Sequence, residues 1–168
     1  NHNLQTIKKQ FDKGKKRGPE FSILNNYNNI TLGFHRLAIN GLNDESNQPF
    51  EIDNIVLICN GEIYNYKKLA QENNITLKTQ SDCEIILHCY LLYGIEYTLN
   101  ILDGVFAFIL IDLNNNTTYV ARDPYGVRPL YYYYEYETLG IASELKVLYD
   151  LTYNKKYINN FAPGNYIT

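Results

Sequence analysis

Methionine is missing from all 168 residues. A translated chain begins with one, so Asn1 is not expected to be the translated start: either an initiator was removed or the sequence begins inside a longer protein. Long apolar runs are missing as well. The longest, residues 105–111, falls far short of the ~20 residues that a bilayer-spanning helix requires, and no charged, apolar and small-residue leader opens the chain. The expectation is a cytoplasmic protein without membrane contact. Cysteine is scarce. Cys59, Cys83 and Cys89 cannot all pair and show no close metal-type spacing, so reduced thiols are expected, with neither disulfide nor zinc. Nor is positive charge in excess: the net charge of −3 gives no general pull toward nucleic acid. Lys8, Lys9, Lys13, Lys15, Lys16 and Arg17 do cluster, but Leu4, Ile7 and Phe11 recur there at helical spacing. The basic residues therefore read as the solvated face of an amphipathic helix.

What the chain does have is enough apolar content, 45%, to bury a core, and one globular domain over residues 1–168 is expected. Residues 30–39 read as extended, and residues 54–62 as a buried strand built on Ile55-Val56-Leu57-Ile58-Cys59. Residues 64–73 have helical composition. Residues 82–93 form a stronger helix with Ile85, Ile86, Cys89 and Tyr93 along one face, and Ser81 and Glu84 as its capping box. Four strands follow at 104–112, 117–123, 130–136 and 139–142, joined by Asn-rich or Gly/Pro turns, and a helix closes at 143–149. Adjacent strands with short turns favour antiparallel sheets, and helices at both ends of the order suit an α+β class with two sheets packed together and helices outside.

Three short segments carry the chemistry. Gly33-Phe34-His35-Arg36-Leu37, Asn60-Gly61-Glu62-Ile63-Tyr64-Asn65 and Ser81-Asp82-Cys83-Glu84 hold complementary ligand groups. An arginine clamps a carboxylate, an aspartate holds an ammonium, and an Asn-Gly pair offers a side-chain amide and an unobstructed backbone N–H to a developing oxyanion. Together they read as an amino-acid pocket, of the kind that recognising and hydrolysing free glutamine needs. Each has a plainer reading. Arg36 at a strand end is by itself a surface or ion-pairing residue, Asn60-Gly61 is the leading signal for a two-residue hairpin, and Asp82 in a first helical turn is favoured by the helix dipole whatever its role. Against the hairpin, residues 63–73 read as turn then helix, not as a returning strand. Arg122-Asp123-Pro124-Tyr125-Gly126 reads as a fixed turn with no catalytic role. Neither His35 nor His88 has a nucleophile beside it in the motif pattern.

The order of the segments resembles the glutaminase domain of glutamine-hydrolysing asparagine synthetases, class II glutamine amidotransferases among the N-terminal-nucleophile hydrolases. The resemblance begins at Arg17-Gly18-Pro19-Glu20. It continues through Ala107-Phe108, Ala121-Arg122-Asp123-Pro124-Tyr125-Gly126-Val127-Arg128-Pro129-Leu130-Tyr131 and Ala142-Ser143-Glu144-Leu145-Lys146 to Ala162-Pro163-Gly164-Asn165-Tyr166. So many pieces in one order make a chance match very improbable. Glu20 departs from the aspartate usual there. The resemblance implies a four-layer αββα sandwich, Arg36 on the glutamine α-carboxylate, Asp82 on its α-ammonium, Asn60 and Gly61 as the oxyanion hole, and Glu62 lining the site.

It also implies parts that this sequence does not hold. Family members carry a mature N-terminal strand whose first cysteine attacks the glutamine amide while its own α-amine acts as base. Asn1 has no nucleophilic side chain, and a missing N-terminal strand is expected. No Ser-Gly-Gly-Leu-Asp-Ser-like pyrophosphate loop occurs, so the C-terminal synthetase domain, with its ATP and magnesium, is expected elsewhere, and this domain needs no cofactor of its own. L-glutamine and that synthetase domain are the expected partners, with homodimerisation left open. Two alternatives stay open: a catalytically inactive glutamine-binding or interaction module of the same fold, and an amidotransferase with another acceptor, as in purine or amino-sugar synthesis.

Overall fold

The computed structural model describes residues 2–37 and 43–168. In chain order its elements are α1 (Leu4–Phe11), β1 (Phe21–Tyr27), β2 (Ile30–Arg36), β3 (Phe50–Ile52), β4 (Ile55–Ile63), α2 (Tyr66–Glu72), α3 (Ile85–Ile101), β5 (Gly104–Asp112), β6 (Thr117–Arg122), β7 (Tyr131–Glu135), β8 (Thr138–Ala142), α4 (Leu145–Leu148), β9 (Asn159–Asn160) and β10 (Tyr166–Ile167). They divide between two compact units, one from residues 1–38 and 129–162, the other from 39–128 and 163–168. Both are built of antiparallel strands and helices, the α+β class expected. Of the extended stretch expected at 30–39, residues 38 and 39 lie outside the described residues.

In the first unit α1 starts at Asn3, whose side-chain oxygen accepts the Thr6 N–H at 2.8 Å and so satisfies a donor that has no partner within the helix. Lys8 and Lys9 are exposed as expected. The residue that α1 buries is Gln10, not Leu4, which is 55% exposed. Gln10 tolerates burial because its Nε2 donates to Asp150 Oδ2 at 2.9 Å, the atom that Lys13 also reaches at 2.7 Å. β1 and β2 form a hairpin in register from Phe21↔Arg36 to Tyr27↔Ile30, turned through Asn28 in the left-handed region (φ 53). β7 lies between β8 and β9. Along it Tyr133 is buried and Tyr134 exposed, the alternation expected of a strand. The Tyr133 ring covers Gly140, where an added Cβ would lie 2.1 Å from a ring carbon.

The second unit is a five-stranded antiparallel sheet ordered β10-β6-β5-β4-β3. Ile55, Leu57, Cys59 and Ile63 of β4 and Phe106, Phe108 and Leu110 of β5 alternate onto one face, where Ile85, Ile86 and Cys89 of α3 complete the core. Period two then puts Asn60 and Glu62 on the opposite face. The sheet leads into α3 through a 3₁₀ turn, Asp82–Glu84. α3 is broken at Gly94 (φ 75, ψ 176), so its first segment ends at 93 as expected and a second segment continues to Ile101.

The expected capping box is half present. Ser81 Oγ accepts the Cys83 N–H at 3.4 Å, but the Glu84 carboxylate turns to the preceding loop and accepts the N–H groups of Lys78 and Thr79 at 2.8 and 2.7 Å. His88 adds a third hydrogen bond at 3.1 Å. Burial alone would push the Glu84 carboxyl up; the bonds from His88, Thr79 and Lys78 outweigh it and hold it at about 2.

Candidate active site

β4 does not stop at Asn60-Gly61. It continues through Ile63, with Asn60 opposite Ala107 and Gly61 opposite Phe106 of β5, so the pair is neither a hairpin turn nor a strand terminus. Asn60 projects from the face away from the helices, and its Nδ2 is buried yet has no hydrogen-bond partner among the described residues. Buried amide donors are nearly always paired, and a persistent exception requires an explanation.

Which way the Gly61 N–H points follows from its neighbours. Phe106 directs both backbone groups away from β4: its N–H donates to Asp123 Oδ2 at 3.3 Å and its carbonyl accepts the Asp123 N–H at 2.8 Å. The N–H and C=O of a strand residue share one side, so the Gly61–Phe106 pair is a non-hydrogen-bonded one and the Gly61 N–H faces the outer edge of β4. On that same edge the Gly61 carbonyl accepts the Cys83 Sγ–H at 3.7 Å. Glycine here is also a packing requirement, because a Cβ would approach Val105 O to 2.6 Å and the Phe106 Cα to 2.8 Å.

Asp82 is 4% exposed and belongs to the same edge, its Oδ2 accepting the Ile63 N–H at 2.6 Å. It therefore caps the end of β4. Glu62 is exposed, two residues beyond Asn60 on its face. The second unit thus sets Gly61 and Asp82 on the outer edge of the last residues of β4, with Asn60 and Glu62 on the sheet face away from α3. Arg36 belongs to the first unit. It ends β2, is 7% exposed, and its carbonyl accepts the Glu20 N–H at 3.3 Å. Its burial sets aside the surface-residue reading.

Asp123 is fully buried and binds four backbone N–H groups, those of Phe106, Tyr125, Val127 and Arg128, while Arg122 donates to the Gly126 and Arg128 carbonyls at 2.7 Å each. These are the turn-fixing roles expected. His35 does have a hydroxyl beside it, because cross-strand pairing sets Ser22 Oγ 2.8 Å from its Nδ1. Its Nε2 lies 2.8 Å from the Phe11 carbonyl, which can only accept, so the ring is held in one tautomer stacked on Phe11. All three cysteines are buried free thiols. Its hydrogen bond with Cys59, then burial, push the Cys83 thiol well up, and burial pushes Cys89 to about 11, so neither is a thiolate at neutral pH.

An open cleft of about 350 Å³, bounded by Glu96, Asn100, Phe106, Arg122 and Tyr166 among others, includes none of the candidate residues. Among the described residues no three His, Cys, Asp or Glu side chains converge as a metal site requires, and no helix is long and apolar enough to cross a membrane. Sequence reading passed over Gln48, whose side chain hydrogen-bonds both backbone groups of Cys59. Only a long-range pairing reveals it.

A glutamine amidotransferase domain model matches residues 1–168. A probable glutamine-hydrolysing asparagine synthetase of Acanthamoeba polyphaga mimivirus is 47% identical over 142 residues, covering 83% of this chain and 25% of that protein. The glutamine-hydrolysing asparagine synthetases of Gallus gallus and Homo sapiens are each 41% identical over 164 residues, covering 89% of this chain and 28% of theirs. The chain thus spans about a quarter of the length of the curated relatives it matches. Among solved structures, the glutamine phosphoribosylpyrophosphate amidotransferase of B. subtilis, complexed with ADP and GMP, aligns with a TM-score of 0.65 at 28% identity, covering 81% of this chain and 32% of that one. A second, described as the allosteric regulatory enzyme of purine biosynthesis, aligns at 0.66 and 26%, with the same coverage.

Proposed function

Starting from a chain that belongs to the glutamine amidotransferase domain family, we propose that it is the glutaminase domain of an asparagine synthetase-like enzyme. It would hydrolyse L-glutamine to glutamate and ammonia for ATP-dependent amidation of aspartate. The observation that carries the reading is the buried, unpartnered Asn60 Nδ2 next to a Gly61 N–H turned out of the sheet. When a thiolate attacks the glutamine amide carbon, negative charge develops on the amide oxygen. Two fixed donors on one rigid strand are suited to receive it, and the loss of one such donor typically costs roughly 10²–10³ in kcat. The reading gives the nucleophile to an N-terminal cysteine of the whole protein, since the raised Cys83 and Cys89 thiols are unsuited to the role.

Substrate recognition is assigned to charged groups. Asp82 takes the α-ammonium, Arg36 the α-carboxylate as a planar fork, and Glu62 lines the site. ATP and magnesium belong to a synthetase domain of the whole protein, which is also the domain's proposed partner, in a cytoplasmic setting. The 41–47% identity to asparagine synthetases, against 26–28% to the two amidotransferase structures, favours aspartate as acceptor.

The test is to supply the whole protein with amide-15N glutamine, aspartate, ATP and magnesium. Label in the asparagine amide is the expected result. Release of labelled ammonia without labelled asparagine would remove the acceptor assignment, and label remaining wholly in glutamine would leave the inactive binding module.

A further inference from the structure

β3 pairs with β4 only from Ile52↔Ile55 to Phe50↔Leu57. Among the described residues no strand continues beside the outer edge of β4 beyond Leu57, and Cys59 is only 4% exposed and cannot turn its backbone groups to water. Left unpaired, a buried N–H or C=O destabilises the fold. Gln48, two residues before β3 and 8% exposed, fills the gap: its Oε1 accepts the Cys59 N–H at 2.6 Å and its Nε2 donates to the Cys59 carbonyl at 3.0 Å. One planar amide offering an acceptor and a donor to a single residue reproduces the hydrogen-bonded pair of an antiparallel ladder.

The Cys59 carbonyl belongs to the peptide group that enters Asn60. Fixing that plane fixes the Asn60 Cα–Cβ direction, and so where the unpartnered Nδ2 can point. Two and four residues on, the same edge is held by the Cys83 contact with the Gly61 carbonyl and by Asp82 on the Ile63 N–H. The two donors therefore lie on a stretch of strand pinned at both ends by side chains.

Resting on the glutaminase reading, we propose that Gln48 is a positioning residue that aims the oxyanion donors of Asn60 and Gly61 by holding both backbone groups of Cys59 as a partner strand would. It touches no reacting atom. Its removal should leave glutamine binding nearly intact and weaken the donors where transition-state charge develops, since misplacement on the order of 1 Å can cost 10²-fold.

The experiment is steady-state glutamine hydrolysis by the whole protein, unsubstituted and carrying Gln48→Leu or Gln48→Glu, from about pH 9 to about pH 6. Gln48→Leu should lower kcat roughly tenfold to a hundredfold with KM within about threefold. Gln48→Glu keeps an acceptor for the Cys59 N–H but sets an anion against its carbonyl; protonation restores a donor. The kcat of this variant relative to the unsubstituted protein should therefore rise as pH falls, which a merely structural role does not predict. Gln48→Glu alone decides the matter if Gln48→Leu does not fold. Undiminished kcat, a loss confined to KM, or a pH-independent deficit in Gln48→Glu overturns the inference while leaving the glutaminase reading in place. Absence of hydrolysis by the unsubstituted protein overturns both.

Discussion

At the scale of single residues, Asp82 has one observed task and one proposed task, and substitution separates them. Its carboxylate caps the Ile63 N–H at 2.6 Å and is the group assigned to the glutamine α-ammonium. Asp82→Asn keeps an oxygen for Ile63 and loses the charge, so KM for glutamine should rise roughly tenfold or more with little change in Tm. Asp82→Ala removes both, and stability should also fall by about 1–3 kcal/mol, the cost of a buried N–H without a partner. Equal glutamine kinetics in Asp82→Asn and the unsubstituted protein would remove Asp82 from the site. Gly61→Ala is a contrasting case. Its Cβ would meet β5 backbone at 2.6 Å, so a loss of about 1–3 kcal/mol in urea unfolding is expected even before catalysis is measured. Sequence singled out Asn60, Gly61 and Asp82 as candidates because motif and chemistry coincide there. It did not identify Gln48, whose role exists only because β3 ends two pairs short of Cys59.

At the scale of elements, the 3₁₀ turn that carries Asp82 is held by Glu84. Its carboxyl is held at about 2 against an ordinary 4.5, so its contribution to stability is complete above about 4.5 and is lost as pH falls toward 2. The direction follows because the unfolded chain takes up this proton first. Glu84→Gln should therefore lower Tm near neutral pH, and the gap between variant and unsubstituted protein should narrow as pH falls below about 4.5 toward 2; a gap constant with pH would contradict the assignment. Local periodicity made most elements legible: β4, α2, β5, β6, β7 and β8 fall within one or two residues of expectation. β1 escaped notice because Ser22, Asn25 and Asn26 are poor strand formers, and β3, β9 and β10 because two or three residues carry no period. The Ser81/Glu84 capping box was half wrong for a physical reason: backbone donors of the preceding loop compete for the same carboxylate.

At the scale of the whole molecule, the first unit holds a two-stranded and a three-stranded antiparallel sheet and the second a five-stranded one, while the family match runs through both. Glutamine hydrolysis and use of the ammonia are separate chemistries in the proposed enzyme. Arg36→Ala in the whole protein should abolish glutamine-dependent asparagine formation and leave ammonia-dependent formation within about twofold. Loss of both activities together would place Arg36 in the general architecture instead. Motif order across the chain made this level legible from sequence, whereas the division into units was not, because residues 129–162 return to join residues 1–38 across a gap that no local signal marks.

The most direct test of the account is the kcat of glutamine hydrolysis by the whole protein beside that of Asn60→Ala. The account predicts release of glutamate and ammonia by the unsubstituted protein, and a kcat lower by roughly 10²–10³ in the variant with KM little changed. Equal kcat in the two, or no glutamate from the unsubstituted protein, would contradict it.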